Sequence, residues 1–199
     1  MKKVDIKEIK RLKQLTGVGV TDAKRALSEA DGDFDKALEA MRVKGLSKAD
    51  KKSEREARAG LVDSYVHSGR IGVVVEINCE TDFVARTDDF KTLGHDVAMH
   101  IAASSPRFVT RHDIPKKELN KEQDLIKQQL ANEGKPKAMI DKIAAGKLKK
   151  WYAEVCLVDQ PFIKNPDETV GDLVKQHIAK LGENIVVRRF GRIELGGSD

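Results

Sequence analysis

The residues best suited to act on another molecule lie together at Thr81-Asp82-Phe83-Val84, where an acid and an aromatic ring are adjacent. An unbroken apolar run at residues 71–75 precedes them and predicts a buried strand. From Phe90 onward, apolar residues recur every three or four positions, which predicts a helix. The four residues therefore lie in the connection between a strand and a helix. Such connections lie at the surface and often carry function. Two interpretations are open: an ordinary exposed turn, or an apolar and acidic tip that enters a partner.

Residues typical of enzymes and metal sites do not have the spacing that such sites require. His95 and His100 are five positions apart in a helical stretch, so they do not share a face on which a metal could bind. His67 lies in a predicted turn, as either a solvated side chain or a ligand or base. The chain has no glycine-rich phosphate loop, nucleophile elbow or His-Glu-x-x-His motif. We therefore predict no catalytic residue, no metal and no cofactor, and we favour a binding or regulatory protein over an enzyme.

The charge of the chain is modest and unevenly distributed. Of its 199 residues, 35% are charged and 40% are hydrophobic, with a formal net charge of +5. The first 60 residues hold 16 Lys and Arg against 11 Asp and Glu, and the remainder holds 21 of each. The excess suits an acidic protein surface or nucleic acid, and it is too small to choose between them. Aromatic residues make up only 5% of the chain, so stacking platforms for single-stranded nucleic acid are few.

The cysteines and the apolar runs bear on the cellular compartment. Cys79 and Cys156 lie inside apolar runs and form no spaced framework, which favours buried free thiols in a reducing compartment over a disulfide. No secretory signal follows the basic N-terminus, and no apolar run approaches the ~20 residues that span a bilayer. We expect a cytoplasmic protein without membrane contact.

Residues 1–46 are predicted to form a bundle of three short helices. The first covers about 4–16, the second begins after Thr21 as N-cap, and the third begins after Asp33 as N-cap and ends at Gly45. Three short helices can bury their apolar faces only against one another. Those faces are predicted to be Ile6, Ile9, Leu12 and Leu15; Ala23, Ala26, Leu27 and Ala30; and Phe34, Ala37, Leu38 and Met41.

The loop Val18-Gly19-Val20 between the first two helices is apolar and contains a glycine. It either packs inside the bundle or presents its valines to a partner. The charged stretch 47–59 that follows the bundle is predicted to be a linker, because it has no large apolar face to bury. A tether between domains is its direct interpretation, and a nucleic-acid arm is the alternative.

Residues 60–199 are predicted to form an α+β domain. The patterns indicate a β-hairpin over 60–78 with its turn at His67–Arg70, a helix over 88–104, two helices opened by Pro115 and Pro136, a helix from Val170, and a final strand over 185–195. Two long helices joined by a short Gly/Pro turn make an antiparallel helical hairpin. In the last strand, Ile185, Val187, Ile193 and Leu195 share one face.

Two stretches resemble signatures of bacterial elongation factor Ts. They are residues 12–27, LKQLTGVGVTDAKRAL, and residues 76–86, which contain Thr-Asp-Phe-Val without change. A third piece, Gln160-Pro161-Phe162 followed by Thr169-Val170-Gly171, is similar to the C-terminal region of the family. The likeness covers nearly the whole chain in the right order, and the one departure is Lys13 in place of a more usual arginine.

The resemblance implies a guanine-nucleotide exchange factor for elongation factor Tu in translation. It implies a ubiquitin-associated-like three-helix domain at 1–46, a linker at 47–59, and a single α+β core at 60–199. Short members of the family resemble one another in forming dimers through the core sheet. A homodimer would hold two partner molecules in a 2:2 complex, with no direct nucleic acid expected.

In the mechanism that the resemblance implies, the turn Thr81 to Val84 enters the partner near its Mg²⁺ and phosphate site. Phe83 would act as an apolar wedge, Asp82 would disturb the contacts that order the Mg²⁺ shell, and Thr81 and Val84 would fix the turn. Val18, Gly19 and Val20 would dock beside the nucleotide-binding domain, and His67 would be a further contact. The rival interpretations are a basic RNA- or ribosome-binding module and an adaptor that only tethers a partner.

Overall fold

Three N-terminal helices precede an antiparallel sheet with packed helices, and this confirms the predicted α+β fold class. A computed structural model describes residues 4–16 and 18–197. The elements in chain order are α1 (Ile6–Thr16), α2 (Val20–Glu29), α3 (Phe34–Asp50), β1 (Ala59–His67), β2 (Ile71–Cys79), α4 (Asp82–Ala85), α5 (Asp88–Ser104), α6 (Lys116–Asn132), α7 (Lys137–Val155), β3 (Pro161–Phe162), β4 (Asn165–Thr169), α8 (Val170–Leu181) and β5 (Ile185–Glu194).

The chain divides into two compact units, each assembled from three segments. The first unit comprises Met1–Asp63, Val75–Asp96 and Asp172–Arg188. The second unit comprises Ser64–Val74, Val97–Gly171 and Arg189–Asp199. The division at residues 46 and 59 that the sequence suggests stays a prediction.

The three N-terminal helices of the first unit share an apolar core. Its buried members are Ile9, Leu12, Ala23, Ala26, Leu27, Ala37 and Met41, with Val4, Val18, Ala30, Phe34 and Leu38 packed against them. Asp33 caps α3 as predicted, because its side chain accepts a hydrogen bond from the Lys36 N–H at 3.1 Å. That bond is also the main reason why the pKa of Asp33 lies below its ordinary value.

The predicted apolar face of α1 is only half correct. Ile9 and Leu12 are buried, whereas Ile6 and Leu15 are 69% and 57% exposed. A stripe with a constant spacing of three falls about 60° short of a full turn at each step, so its ends rotate away from the core.

Two predicted helix boundaries are wrong. Gly19, not Thr21, occupies the N-cap of α2, and no side chain caps that end. Gly45 lies inside α3, which continues to Asp50. A Cβ atom at Gly45 would lie 3.1 Å from Cβ of Ala179 in α8, so a close helix approach accounts for this glycine better than a helix end does.

The segment after α3 is attached to the rest of the first unit. Ala57 is buried, and the backbone oxygens of Ser53 and Arg55 accept hydrogen bonds from the side-chain amide of Asn184 at 3.2 and 2.6 Å. Lys175 pairs with Asp50 at 2.8 Å.

Strands β1, β2 and β5 form one antiparallel sheet in that order. Ser68 and Gly69 in the β1–β2 turn both have positive φ, 50° and 65°, as a type I′ hairpin turn requires. The hairpin therefore lies where it was predicted. Directly after β5, the N–H of Leu195 donates to the carbonyl oxygen of Arg70, the residue before β2, at 2.8 Å.

The second unit contains the helical hairpin predicted from Pro115 and Pro136. The two prolines occupy the N-cap positions of α6 and α7, and Gly134 has a positive φ of 71° in the turn between the helices. Their shared core is Ile126, Leu130 and Ala144, with Ile140, Ile143 and Leu148 packed beside it. α7 ends at Val155.

The last strand does not have the single apolar face that its sequence suggests. Ile185 and Val187 are buried, but Ile193 and Leu195 are 79% and 66% exposed. Within the described ranges, no helix is long and apolar enough to cross a membrane.

Candidate functional site

The turn Thr81–Val84 follows β2 directly and forms the start of the four-residue helix α4. Thr81 is its N-cap with extended backbone, φ −130° and ψ 157°, and its Oγ1 accepts from the Val84 N–H at 3.4 Å. The Thr81 carbonyl oxygen accepts from the Ala85 N–H at 3.3 Å and from the Cys79 thiol at 3.1 Å. The turn is therefore tied to the end of a buried strand and cannot pivot freely.

Phe83 is the most unusual side chain of this turn. It is 79% exposed, although a phenylalanine loses about 1.5–3 kcal/mol of stabilisation when it stays in water instead of being buried. Its neighbour Ala85 is buried and Val84 is half-buried, so α4 turns one face inward and presents Phe83 outward.

Asp82 is also exposed and pairs with Arg86 one helical turn later, with 2.7 Å between Oδ2 and the guanidinium nitrogen. The two side chains are 59% and 77% exposed, so water screens this pair and the contact is easily exchanged for another. The outer surface of the turn therefore offers an aromatic ring, a carboxylate and a guanidinium.

A carboxylate from far along the chain fixes the base of the turn. Glu183, in the loop between α8 and β5, accepts from the Thr81 N–H at 2.9 Å and from the Thr81 hydroxyl at 2.6 Å. The next residue, Asn184, donates its backbone N–H to Glu80 at 2.7 Å. Glu80 in turn lies 3.6 Å from the guanidinium of Arg55.

The thiol of Cys79 lies at the base of the turn and is not a reactive group. It is fully buried, and burial, followed by the nearby charge of Glu183, raises its pKa above the ordinary 9.0. The thiol donates to the Thr81 carbonyl, so it contributes to holding the turn.

Comparison with known proteins agrees with this site and with the rest of the chain. A family model described as "Elongation factor TS" matches residues 2–178. The chain belongs to the elongation factor Ts family. It is 54% identical over 189 residues to elongation factor Ts of Carboxydothermus hydrogenoformans, covering 94% of this chain and 87% of that protein. It is 53% identical to the homologues of Moorella thermoacetica, over 190 residues, and Fervidobacterium nodosum, over 189 residues, covering 94% and 96% of those proteins.

Membership of the elongation factor Ts family makes this chain a translation elongation factor in the exchange-factor class. The family match spans all three N-terminal helices, the turn and most of α8.

The two valines of the predicted docking loop of this elongation factor Ts homologue differ in burial. Val18 is half-buried and packs against the three-helix core, whereas Val20 is 55% exposed. Gly19 is exposed, and a Cβ placed on it would have no atom within 4 Å. Of the two interpretations of this loop, packing inside the bundle holds for Val18 and an exposed valine holds for Val20. Gly17 lies outside the described residues.

His67 lies at the end of β1 in the second unit, apart from the other predicted site residues in the chain. It is exposed, its Nδ1 lies 3.1 Å from the Tyr65 hydroxyl, and the two rings are stacked at 6.1 Å. Over the described ranges, no group of three or more His, Cys, Asp and Glu side chains is arranged to hold a metal.

Sequence reasoning missed Glu183 and Asn184, which hold the base of the turn. No local pattern marks them, because they follow Gly182 in what reads as an ordinary helix end. The buried state of Asn184, 2% exposed beside an exposed Gly182, becomes apparent only when the fold brings residues 80 and 184 together.

Proposed function

We propose that the chain binds elongation factor Tu in its GDP-bound form and promotes release of GDP, and so loading of GTP. In this proposal the Thr81–Val84 turn enters the partner near its Mg²⁺ and phosphate site. The supporting observation is Phe83, a large apolar side chain 79% exposed on a turn whose base is held by hydrogen bonds. Such an exchange makes and breaks no covalent bond, so the chain acts as a binding protein and not as an enzyme.

The energetics of this role require a preference for the nucleotide-free partner. If the exchange factor binds the empty form more tightly, GDP must weaken the exchange factor's own binding by the same factor. Burying a phenylalanine provides about 1.5–3 kcal/mol, and ~1.4 kcal/mol corresponds to a tenfold change in affinity. Phe83 alone can therefore supply a change of one to two orders of magnitude, provided that its pocket exists only in the empty form.

The remaining residues of the turn have supporting roles. Asp82 is exposed and its pair with Arg86 is screened, so its carboxylate can leave that pair and compete for the polar groups around Mg²⁺. Thr81 and Val84 are half-buried and connected by the N-cap hydrogen bond, which fixes the direction of Phe83.

The N-terminal bundle is the proposed docking element. Val20 and Leu15 are exposed on either side of the α1–α2 connection, and Gly19 leaves space there for close approach. The positive excess of the first 60 residues would speed association with an acidic partner surface. His67 is the proposed additional contact. Because translation supplies the partner, the proposed place of action is the cytoplasm.

A homodimer that binds two partner molecules is part of the proposal. Apolar side chains exposed on or directly after the strands of the second unit support it, because pairing of two copies could remove them from water. They are Val66, Val74, Ile193 and Leu195, between 52% and 79% exposed. Sedimentation equilibrium of the free chain tests the dimer, and Val74→Lys should give a monomer.

Release of fluorescently labelled GDP from elongation factor Tu, with and without the chain, tests the function. The wild-type chain should accelerate release, and Phe83→Ala should lose most of that effect while remaining folded. Ile163→Ala, which truncates another exposed apolar side chain in the β3–β4 connection, is the matched control and should keep the wild-type rate.

The same assay separates the rival functions. A tethering adaptor would bind elongation factor Tu and leave the release rate unchanged. An RNA-binding module would instead show a steeply salt-dependent affinity for RNA and no response to Phe83→Ala.

A further inference from the structure

The loop Gly182–Asn184 connects α8 to β5 and contacts two stretches that are distant in sequence. Glu183 receives both hydrogen-bond donors of Thr81, its N–H and its hydroxyl. Asn184 holds Glu80 through its backbone, and through its side chain it holds the backbone oxygens of Ser53 and Arg55. All of these residues belong to the first unit.

We propose that Glu183 is a positioning residue for nucleotide exchange, which sets the direction of Phe83 by holding Thr81 through two hydrogen bonds. The inference rests on the proposed function, because it assigns to Glu183 the task of aiming the turn that enters elongation factor Tu. Glu183 itself is half-buried and touches the base of the turn, not its tip.

The need for such a residue follows from the length of α4. A helix of four residues has no stability of its own, because nucleating the first turn is unfavourable and only one or two internal hydrogen bonds follow. Contacts with the rest of the chain must therefore fix the orientation of α4. Thr81 lies between the end of β2 and the start of α4. Hydrogen bonds to a charged acceptor are about twice as strong as neutral ones.

A carboxylate is the group that fits this position. The Thr81 N–H is always a donor, and the Thr81 hydroxyl donates its proton to Glu183 while its oxygen accepts from the Val84 N–H. Glu183 can accept both hydrogen bonds, one at each oxygen. A glutamine has only one accepting oxygen, so at most one of the two Thr81 donors would keep its acceptor, and the NH₂ group would face the other.

Asn184, next to Glu183, connects the same loop to the segment that follows the N-terminal bundle. Its side chain is 2% exposed, and its two amide hydrogen bonds reach the segment that follows α3. One loop therefore holds both the turn and the segment that follows α3, the last helix of the N-terminal bundle. Because both elements are already held in place, binding of a partner to both restricts less conformational freedom of the chain. This lowers the entropic cost of binding.

The experiment measures the GDP release rate from elongation factor Tu across a range of concentrations of the chain. We expect Glu183→Ala to lower the maximal release rate about tenfold, as loss of charge-assisted hydrogen bonds at one site typically does, with a smaller change in the half-saturating concentration. Glu183→Gln should lie between Glu183→Ala and wild type. Asp89→Asn, which removes a carboxylate that pairs with Lys180 in the same unit, is the matched control and should keep the wild-type rate.

A pair of Thr81 variants separates positioning from a general effect on folding. Thr81→Ser keeps the hydroxyl and should lower the rate less than Thr81→Val, which removes it. In the Thr81→Val background, Glu183→Ala should cost less than it does alone, because one of its two hydrogen bonds is already missing. Hydrogen exchange of the Thr81 amide in the free chain should be slow in wild type and faster in Glu183→Ala.

The outcomes are distinguishable. If the wild-type chain accelerates GDP release and Glu183→Ala does so equally well, the positioning role is wrong and the proposed function stands. A Glu183→Ala variant that loses stability but keeps its release rate per folded molecule would likewise show a purely structural residue. If the wild-type chain leaves the release rate unchanged, the proposed function fails and the positioning role with it.

Discussion

Phe83 and Phe90 lie seven residues apart in the first unit and have opposite environments, with Phe83 79% exposed and Phe90 fully buried. Phe90 belongs to α5, whose buried face also contains Leu93, Val97 and Ile101. Phe83 belongs to α4, which is too short to have an apolar face of its own. The same residue type therefore builds the core at one position and offers a contact surface at the other.

Alanine substitutions at these two positions should affect stability very differently. Phe83→Ala should change the free energy of unfolding by less than about 0.5 kcal/mol, because no buried contact is lost. Phe90→Ala should lower it by about 3–5 kcal/mol, since it leaves a cavity in a close-packed interior. Urea unfolding followed by circular dichroism measures both values. Equal losses for the two variants would contradict the exposed position of Phe83.

The contrast shows what the sequence could predict and why. Regular apolar periodicity predicted α5 and its core residues, because a long helix repeats the same contact many times. Both interpretations of the turn placed Phe83 at the surface, and its 79% exposure agrees with both, so entry into a partner stays a prediction. The burial of Ala85 and the half-buried Val84 show which face of α4 turns inward.

Features that depend on contacts far apart in sequence could not be predicted. The Glu183–Thr81 hydrogen bonds join residues about a hundred positions apart, and Gly45 is explained by Ala179 in another helix. A glycine near the end of an apolar stripe is typical of a helix C-terminus, so the local pattern indicated a boundary where a close helix approach exists. The exposure of Ile193 and Leu195 is likewise not predicted by strand alternation, which gives the face of a residue but not what covers that face.

Stability should fall as the pH drops below about 6.5 because of His100 in the second unit. Its Nδ1 accepts from the Ile163 N–H at 3.3 Å, so its Nε2 carries the proton and donates to Gln160 at 3.0 Å. Burial lowers the pKa of His100 below the ordinary 6.5, because a charged ring would be removed from water. Protonation of Nδ1 would also place an N–H group against the Ile163 N–H donor. Because the unfolded state then binds more protons, the stability present above the ordinary pKa is progressively lost below it.

The measurement is the free energy of unfolding at a series of pH values between about 5 and 8. Wild type should show a steeper decrease toward acid than His100→Gln, with a difference of up to about 1.4 kcal/mol per pH unit. His112→Gln replaces an exposed histidine and should keep the wild-type slope. Parallel curves for wild type and His100→Gln would show that His100 titrates normally in the folded chain.

The two thiols should be unreactive in the native protein. Cys79 and Cys156 are both free and fully buried, and burial raises the pKa of Cys156 to about 11. The thiolate is the reactive form, so little of it exists at about pH 8. Iodoacetamide followed by mass spectrometry should find neither cysteine modified before unfolding and both modified in denaturant. A native chain that is labelled rapidly, or a denatured chain without two reactive thiols, would contradict this.

Two glycines of the second unit should respond in opposite directions to alanine. Gly146 is exposed inside α7, and a Cβ there would meet no atom within 4 Å. Gly146→Ala should therefore raise the free energy of unfolding by about 0.5–1 kcal/mol, the difference in helix propensity between the two residues.

Gly171 lies in the first turn of α8, where a Cβ would be only 2.8 Å from the backbone oxygen of Val158. Gly171→Ala should lower the free energy of unfolding by about 1–3 kcal/mol, because a backbone oxygen cannot move aside without displacing its own segment. Thermal unfolding of the two variants beside wild type gives the sign directly. A stabilised Gly171→Ala would mean that Gly171 does not lie against the Val158 backbone, and a destabilised Gly146→Ala would mean that another surface covers α7 at that point.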